Sequence, residues 1–318
     1  MAFRSGFVAI LGRPNAGKST LLNALAGEKL AIVSPKPQTT RNRILGIIHV
    51  PRKAAKPTAQ AILIDTPGVH RPDSSLGRKM MAEVREALEG CDLVLVIVDA
   101  ARNSQAADRY LFDLIESAKA PAFLLLNKID LLRRQKQELL PLIDQYRNLH
   151  EFQEIIPISA RAQQGLELLI EKLVAALPEG PRYFPADQIT DQPTRFMAAE
   201  LIREQVLLRI REEVPHSVTV MVEQFEEGPK LTRIAATIYC EREGQKRILV
   251  GRQGQMLKAI STAARQQIER MLGGKVFLEL FVKVRANWRD SRAFVEELDW
   301  RRQLEHLIPT EAGENGAS

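Results

Sequence analysis

The sequence predicts an α/β domain built on a mostly parallel sheet, followed by a smaller α+β domain. Three observations predict this. In the first half, short apolar runs of strand length alternate with helical patterns. The run Gly12-Arg13-Pro14-Asn15-Ala16-Gly17-Lys18-Ser19 falls between the first strand and the first helix. The second half opens on a new helical pattern after a proline-rich break. A length of 318 residues suits two domains.

The strand candidates of the first domain, placed within residues 1–178, are Phe7–Leu11, Ala61–Ile64, Leu93–Val98, Ala122–Leu126 and Glu154–Ile158. In such sheets ligands bind beyond the carboxyl ends of the strands, and the polar motifs of this chain fall there. After the first strand, residues Gly12 to Thr20 read as a phosphate-binding P-loop. Its backbone N–H groups close on phosphate oxygens, Lys18 reaches the β- and γ-phosphates, and the Ser19 hydroxyl takes a place on Mg²⁺.

After the next strand comes Asp65-Thr66-Pro67-Gly68-Val69. Asp65 at a strand end can hold Mg²⁺ through water, and the Gly68 N–H can report on a γ-phosphate. Asp-x-x-Gly alone is a common turn, and its meaning comes from the P-loop upstream. Between the two lies Gln38-Thr39-Thr40-Arg41-Asn42, a polar switch segment. One of its threonines can complete the Mg²⁺ shell; Thr40 is favoured and Thr39 stays open.

Asn127-Lys128-Ile129-Asp130 follows the fourth strand candidate. Guanine presents N1–H and an exocyclic amine side by side. A carboxylate such as Asp130 accepts both, whereas adenine offers no such pair. Asn127 can tie this loop to the P-loop, and the Lys128 stem can lie along the base. Ser159-Ala160 follows the last strand candidate, where the Ala160 N–H could donate to guanine O6.

Composition narrows the class. Hydrophobic residues make up 45% and charged residues 26%, as in soluble globular chains. Cys91 and Cys240 lie in strand-like runs and are expected to be reduced core residues, with neither disulfide nor metal spacing. No apolar run approaches the ~20 residues that span a bilayer. The chain enters a strand at once, so a secretion signal is not expected and a cytoplasmic location is. Net charge is +6, and residues 242–292 hold 12 basic and 4 acidic residues. That local excess suggests a face for a polyanion.

In order and spacing, these first-domain motifs resemble the translation-factor-related GTPases, and specifically the Era family. The Pro-Asn pair of the P-loop and Thr-Thr-Arg point to that subgroup. The resemblance implies GTP and GDP as ligands, Mg²⁺ as cofactor and GTP hydrolysis. A local feature predicts a slow intrinsic rate. Ras-like enzymes place a glutamine directly after the Gly of Asp-x-x-Gly to orient the attacking water, and here that position is Val69. His70 is the next polar candidate, and its plainer reading is an exposed loop residue. Related GTPases with an asparagine at the position of Asn15 use K⁺, so Asn15 with the segment around Gln38–Thr40 is a candidate K⁺ site.

His49 to Gln60, with two prolines and three cations, is expected to form an exposed tip of no assigned function. Residues 179–193 read as a linker. The second domain, residues 194–307, runs helix 194–211, strands Ser217–Val222 and Arg233–Cys240, a short apolar element Arg247–Val250, helix Gln255–Leu272 and strand Lys275–Val284. Gly251-Arg252-Gln253-Gly254 separates the two later helices. Gly-x-x-Gly alone is expected about once by chance in a chain of this composition. The order α-β-β-α-α-β around it looks like a type II KH domain, in which this loop clamps a nucleic acid backbone.

Lys246, Arg247, Lys258 and Arg265 flank the loop, and Ile248, Leu249, Met256, Leu257 and Ile260 could line a groove for bases. Trp288 could stack on a base or pack the last helix onto the sheet. Residues 308–318 are expected to be a disordered tail. The Era resemblance extends over nearly the whole chain. It implies a monomer that binds the 3′ end of 16S ribosomal RNA, acts in 30S subunit assembly and can contact the inner membrane peripherally. Two alternatives stand beside it. One is a GTPase whose second domain binds a protein. The other is a tandem GTPase, which would need two P-loops where this chain has one.

Overall fold

A computed structural model describes residues 2–52, 56–102, 105–132, 135–210 and 214–305. The expected tail, the centre of the 49–60 segment and the last residue of the 194–211 helix lie outside these residues.

The first half forms β1 (Arg4–Gly12), α1 (Lys18–Ala26), β2 (Ile44–Val50), β3 (Ala59–Asp65), α2 (Ser75–Leu88), β4 (Leu93–Asp99), α3 (Gln105–Ser117), β5 (Ala122–Asn127), α4 (Gln135–Arg147), β6 (Glu154–Pro157) and α5 (Leu166–Ala176). The sheet order is β2-β3-β1-β4-β5-β6, and only β2 runs antiparallel to its neighbour. The central strands are apolar on both faces because helices cover both. Alternate residues therefore enter different cores. Val8, Ile10, Leu93, Leu95 and Ile97 join a cluster with Leu21, Leu25 and Leu169, on the α1 and α5 side. Ala9, Leu11, Val94, Val96 and Val98 join one with Val84, Leu111 and Leu142, on the side of α2, α3 and α4.

The segment expected as an exposed tip is partly sheet. His49 pairs with Gln60 across β2 and β3, and both are buried. Among the described residues of this segment, Pro51, Arg52, Lys56 and Thr58 are exposed. Cys91 is half-buried in the turn before β4 rather than in a strand, whereas Cys240 is fully buried; both are free.

The segment expected to be a linker is docked along the sheet edge. The Gly180 N–H donates to Phe3 O at 3.1 Å and the Ile47 N–H to Ile189 O at 2.8 Å. The Thr190 hydroxyl donates to Leu45 O at 2.6 Å, and the Gln60 amide donates to Phe184 O at 2.9 Å. Tyr183 packs on Phe7 with ring centroids 5.1 Å apart.

The second domain forms α6 (Thr194–Arg209), β7 (Thr219–Glu226), β8 (Thr232–Cys240), α7 (Glu243–Val250), α8 (Gln255–Leu272), β9 (Val276–Val284), α9 (Arg292–Glu297) and α10 (Trp300–Glu305). β8 is the middle strand, antiparallel to β7 and parallel to β9. Its core joins Leu201, Val206, Ile234, Ile238, Ile260 and Ile268 from helices and sheet. The element order matches the expected α-β-β-α-α-β.

No described helix is long and apolar enough to cross a membrane.

Candidate functional site

The P-loop closes at the carboxyl end of β1, where Gly17 has φ +106°. A Cβ there would sit 2.3 Å from the Asn127 amide, so the tight turn and its contact with β5 both require glycine. The Lys18 ammonium is buried and donates to Gly12 O at 3.0 Å and Arg13 O at 3.1 Å. Burial pulls its pKa down to about 8, against the opposing pull of Asp65. Lys18, Ser19, Thr20, Thr40, Gly68 and Lys128 are among the residues that line a cleft of about 440 Å³.

One wall of the cleft gathers oxygen atoms. The Ser19 hydroxyl donates to Asp65 Oδ2 at 2.7 Å and lies 2.8 Å from the Thr40 hydroxyl, which is 3.4 Å from the same carboxylate oxygen. The Thr39 hydroxyl points elsewhere, donating to Lys36 O at 2.7 Å beside Ser34. Asp65 is fully buried and its Oδ1 accepts no hydrogen bond. Burial pushes its carboxyl up to about 6, against the pull of Lys18 and the two hydroxyls. A buried carboxylate oxygen without a donor, beside two hydroxyls, suits a hard divalent cation. Among the described residues no group of three His, Cys, Asp or Glu could hold a metal, so hydroxyls and phosphate oxygens would have to complete such a shell.

The Thr66 hydroxyl donates to Ile10 O at 2.7 Å and the Val69 N–H to Gly12 O at 3.0 Å, anchoring the 65–69 segment to β1. A Cβ on Gly68 would meet Pro14 Cγ at 2.7 Å, so this segment lies directly against the P-loop. The Val69 side chain is buried in the apolar core, away from any water-orienting role. His70 Nδ1 lies 2.8 Å from Gly68 O, and its Nε2 lies 3.5 Å from the Gln38 amide. Asn15 is in the left-handed region, and its amide donates to Pro35 O at 3.0 Å.

At the far end of the cleft Asn127 bridges two loops. Its Nδ2 donates to Ala16 O at 2.8 Å, and its Oδ1 accepts the Ala160 N–H at 3.0 Å. The Ala160 N–H, expected to face guanine O6, is thus directed at Asn127 instead. The Ser159 hydroxyl donates to Asp130 Oδ1 at 2.6 Å. Lys128, with φ +68°, pairs with Asp99 at 2.6 Å. Asp99, at the end of β4, belongs to no short motif, which is why the sequence did not single it out.

Arg41 and Asn42 turn away from the cleft toward the second domain. Arg41 is buried, donates to Val218 O at 2.8 Å and lies 5.4 Å from the centre of the Trp288 ring. Burial, with Arg203 and Arg289 nearby and only partial relief from Glu200, pulls its pKa down to about 9. Asn42 lines a small cavity between the domains together with Glu200, Arg203 and Trp300. The sequence did not single out Glu200, Arg203 and Glu204. Their signal was three charged residues in a helix whose apolar positions cover more than one face.

A second contact lies along α2. Its Leu76 and Met80 pack with Trp288, Phe294 and Val295. The Glu83 carboxylate accepts a two-pronged bond from Arg301 at 2.8 and 3.1 Å, and Lys79 pairs with Asp299 at 3.0 Å.

In the second domain Gly251 has φ +72°, and a Cβ there would meet Met256 Cβ at 2.7 Å. Gln253 and Gly254 are also left-handed, making a tight exposed turn that presents Arg252. Arg247 and Lys258 are exposed and Lys246 is half-buried. Arg265 is paired with Glu269 at 2.7 Å, which partly offsets its charge. Of the residues expected to line a groove, Leu249 and Ile260 are fully buried core; Ile248 is half exposed, and Met256 and Leu257 are partly buried. Trp288 is fully buried and its indole N–H donates to Ser217 O at 2.8 Å. It packs the fold, and a base cannot reach it.

A nucleotide-sized cleft at the carboxyl ends of a largely parallel sheet, joined to an α-β-β-α-α-β domain with an exposed Gly-x-x-Gly turn, defines a P-loop GTPase carrying a KH domain. Residues 7–128 match the family described as 50S ribosome-binding GTPase, and residues 213–289 match the KH domain. The chain is 47% identical to GTPase Era of Ruminiclostridium cellulolyticum over 302 residues, covering 95% of this chain and 99% of that one. It is 47% identical to GTPase Era of Nostoc sp. over 301 residues, covering 94% and 90%.

A crystal structure of Era in complex with MgGDPNP and nucleotides 1506–1542 of 16S ribosomal RNA superposes with TM-score 0.88 at 41% identity, covering 92% of this chain and 98% of that one. An Aquifex aeolicus Era variant bound to GDP·AlF4⁻ superposes with TM-score 0.87 at 40% identity, with the same coverage. The chain belongs to the Era family of GTPases.

Proposed function

We propose that this chain is a GTP-hydrolysing switch whose KH domain binds the 3′ end of small-subunit ribosomal RNA, and that it acts in assembly of the 30S subunit in the cytoplasm. The observation that carries the reading is the convergence of Ser19, Thr40 and Asp65 on one point of the cleft, in a chain whose second domain presents Arg252 on a Gly-x-x-Gly turn. A relative that superposes over nearly its whole length holds 16S ribosomal RNA and a GTP analogue together.

In this reading the backbone N–H groups of residues 15–20 and the Lys18 ammonium hold the phosphates. Asp130, held by Ser159, accepts the N1–H and amine of guanine, and Asn127 keeps that loop in register with the P-loop. Ser19, Thr40 and Asp65 would hold Mg²⁺, which when bound neutralises charge on the β- and γ-phosphates. Gly68, against Pro14, places its segment where a γ-phosphate can be sensed. Val69 offers nothing to orient a water, so unaided hydrolysis is slow. We place K⁺ beside Asn15 and the segment around Gln38–Thr40 as the charge that supports hydrolysis. On the RNA side, Arg252, Lys246, Arg247 and Lys258 contact the backbone around Gly251 and Gly254, with Arg265 contributing less.

The test is crosslinking in cells followed by sequencing of the attached RNA. Enrichment of the 3′ end of small-subunit ribosomal RNA is expected. Absence of that RNA, or crosslinks to a protein in its place, would overturn the reading and favour a protein partner for the second domain.

A further inference from the structure

We infer that Arg203 and Glu204, on helix α6 of the RNA-binding domain, are positioning residues for GTP hydrolysis: they hold the segment that delivers Thr40 to the phosphate site. The inference rests on the proposed role of the cleft, and adds that the second domain supplies part of what makes it work.

The segment from Lys29 to Arg41 has no helix or strand of its own. Asn23 of α1 ties its start, accepting the Leu30 and Ala31 N–H groups and donating to Ala31 O, and beyond Ala31 the second domain takes over. The Glu204 carboxylate accepts the Val33 N–H at 3.0 Å and pairs with Lys29. Ile32 is buried in the core of the second domain, beside Leu201 and Val206 of α6. Arg203 donates to the carbonyl oxygen of Thr39 and is braced from behind by Glu200, whose Oε1 accepts from its Nε at 2.8 Å. Arg41 closes the set on Val218 O and the Trp288 ring.

Thr40 therefore lies between two residues fixed by the second domain, one through its carbonyl and one through its side chain. Its own hydroxyl faces the other way, onto Ser19 and Asp65. From the first domain, the segment is tied near this point by the Asn15 bond to Pro35 O.

Burial makes these contacts decisive. Arg203 is 2% exposed and Glu204 3% exposed. A buried charge that loses its partner is strongly destabilising, so neither residue is indifferent to where residues 33 and 39 lie. The arrangement is also reciprocal. If α6 favours the Thr40-inward conformation, then ligands that draw Thr40 inward must favour docking of α6 by the same free energy. Neither Arg203 nor Glu204 is among the residues that line the cleft. Their effect should appear only where Thr40 matters, in the triphosphate state.

The experiment uses the full chain with Arg203→Lys, which keeps the charge but loses the two-pronged fork, and Glu204→Gln, which keeps the shape but loses the charge, alongside Arg203→Ala. Thermal unfolding identifies the variants that fold. GTP turnover is resolved into kcat and KM, and affinities are measured for GDP and for a non-hydrolysable GTP analogue. Arg203→Ala is expected to lower kcat ~10-fold or more, the scale of a small misplacement in an active site, with partial rescue in Arg203→Lys. Both Arg203→Ala and Glu204→Gln should weaken the GTP analogue several-fold and leave GDP affinity unchanged.

Equal weakening of GDP and the analogue would reveal a merely structural role and overturn the inference. So would unchanged turnover in folded Arg203→Lys and Glu204→Gln together. A wild-type chain that neither hydrolyses GTP nor distinguishes it from GDP would overturn the switch reading itself, and the inference with it.

Discussion

The Ser159 hydroxyl donates to Asp130 Oδ1 at 2.6 Å, and the Ser159 oxygen in turn accepts the Ala162 N–H at 3.0 Å. The carboxylate proposed to read the base is thus oriented before any base arrives. Asp130→Asn should shift preference from guanosine to xanthosine nucleotides, because an amide donates where the carboxylate accepted. Ser159→Ala should keep the preference and weaken guanine nucleotides by about 3- to 10-fold, the worth of one orienting hydrogen bond. Calorimetric titration with GDP and XDP checks both. Unaltered GDP binding by Asp130→Asn would remove it from the base site.

Arg252 is exposed within the Gly251–Gly254 turn, and Lys258 is exposed on the helix that follows it. Reversing both charges should abolish binding of single-stranded RNA at moderate salt. Neutralising them singly should lower the slope of log affinity against log salt by about 0.7 for each phosphate that is no longer neutralised. Retained binding by the double reversal would mean that the RNA lies elsewhere on the domain.

Trp288 fills the seam between the domains with its ring and satisfies Ser217 O with its N–H. Trp288→Ala should destabilise the protein by about 3–5 kcal/mol. Trp288→Phe keeps most of the volume but strands a buried carbonyl, at about 1–3 kcal/mol. Urea unfolding measures both. A Trp288→Phe variant with full stability but no RNA affinity would restore the base-stacking role that burial denies it.

The Lys79–Asp299 pair links α2 to the turn before α10. Burial pushes the Asp299 carboxyl up, but Lys79, the Arg301 N–H and the Arg301 charge outweigh it and hold the group below its ordinary 3.8. A folded pKa below the unfolded one means that the stabilisation is present above 3.8 and lost as pH falls through the lower folded value. Asp299→Asn takes up no such proton. Its stability should decline less steeply than that of the parent as pH drops from about 5 to about 3. Parallel declines in urea unfolding would contradict the pairing.

Asn15 ties the P-loop to Pro35 in the left-handed conformation. If K⁺ sits there, GTP turnover in K⁺ should exceed that in Na⁺ by on the order of 10-fold or more at equal ionic strength, by analogy with the charge an arginine finger supplies. Asn15→Ala should erase the difference. Equal rates in the two salts would refute the site.

Much of the fold was legible because its signals are local. Strand-length apolar runs and glycine-marked loops placed four of the six strands of the first sheet to within two residues, and the order of the second domain came from periodicity, its glycine and proline breaks, and the KH resemblance. Ser19, Thr40 and Asp65 lie together and Asn127 reaches Ala16, whereas Arg41 and Asn42, from the same switch motif, turn away. What stayed hidden depends on partners far away in the chain. Nothing local distinguishes Thr39 from Thr40; Arg203, 164 residues further on, holds the carbonyl between them. Trp288 reads equally as surface or core until Ser217 and α2 are in place. Nor does spacing reveal that the Asn127 side chain competes for the Ala160 N–H.

The docking of residues 179–193 changes how far apart the domains can be. A free chain of that length would let the RNA-binding domain wander through a volume roughly 20 Å in radius. Here the segment caps the otherwise open edge of β2, through Ile47 and Thr190, and also removes a template for pairing with another chain. Slack therefore ends near Pro193, one residue before α6. Any parting of the two domains becomes a rotation about that point, and α6, which begins there, carries the rotation to its contacts with Thr39 and Val33.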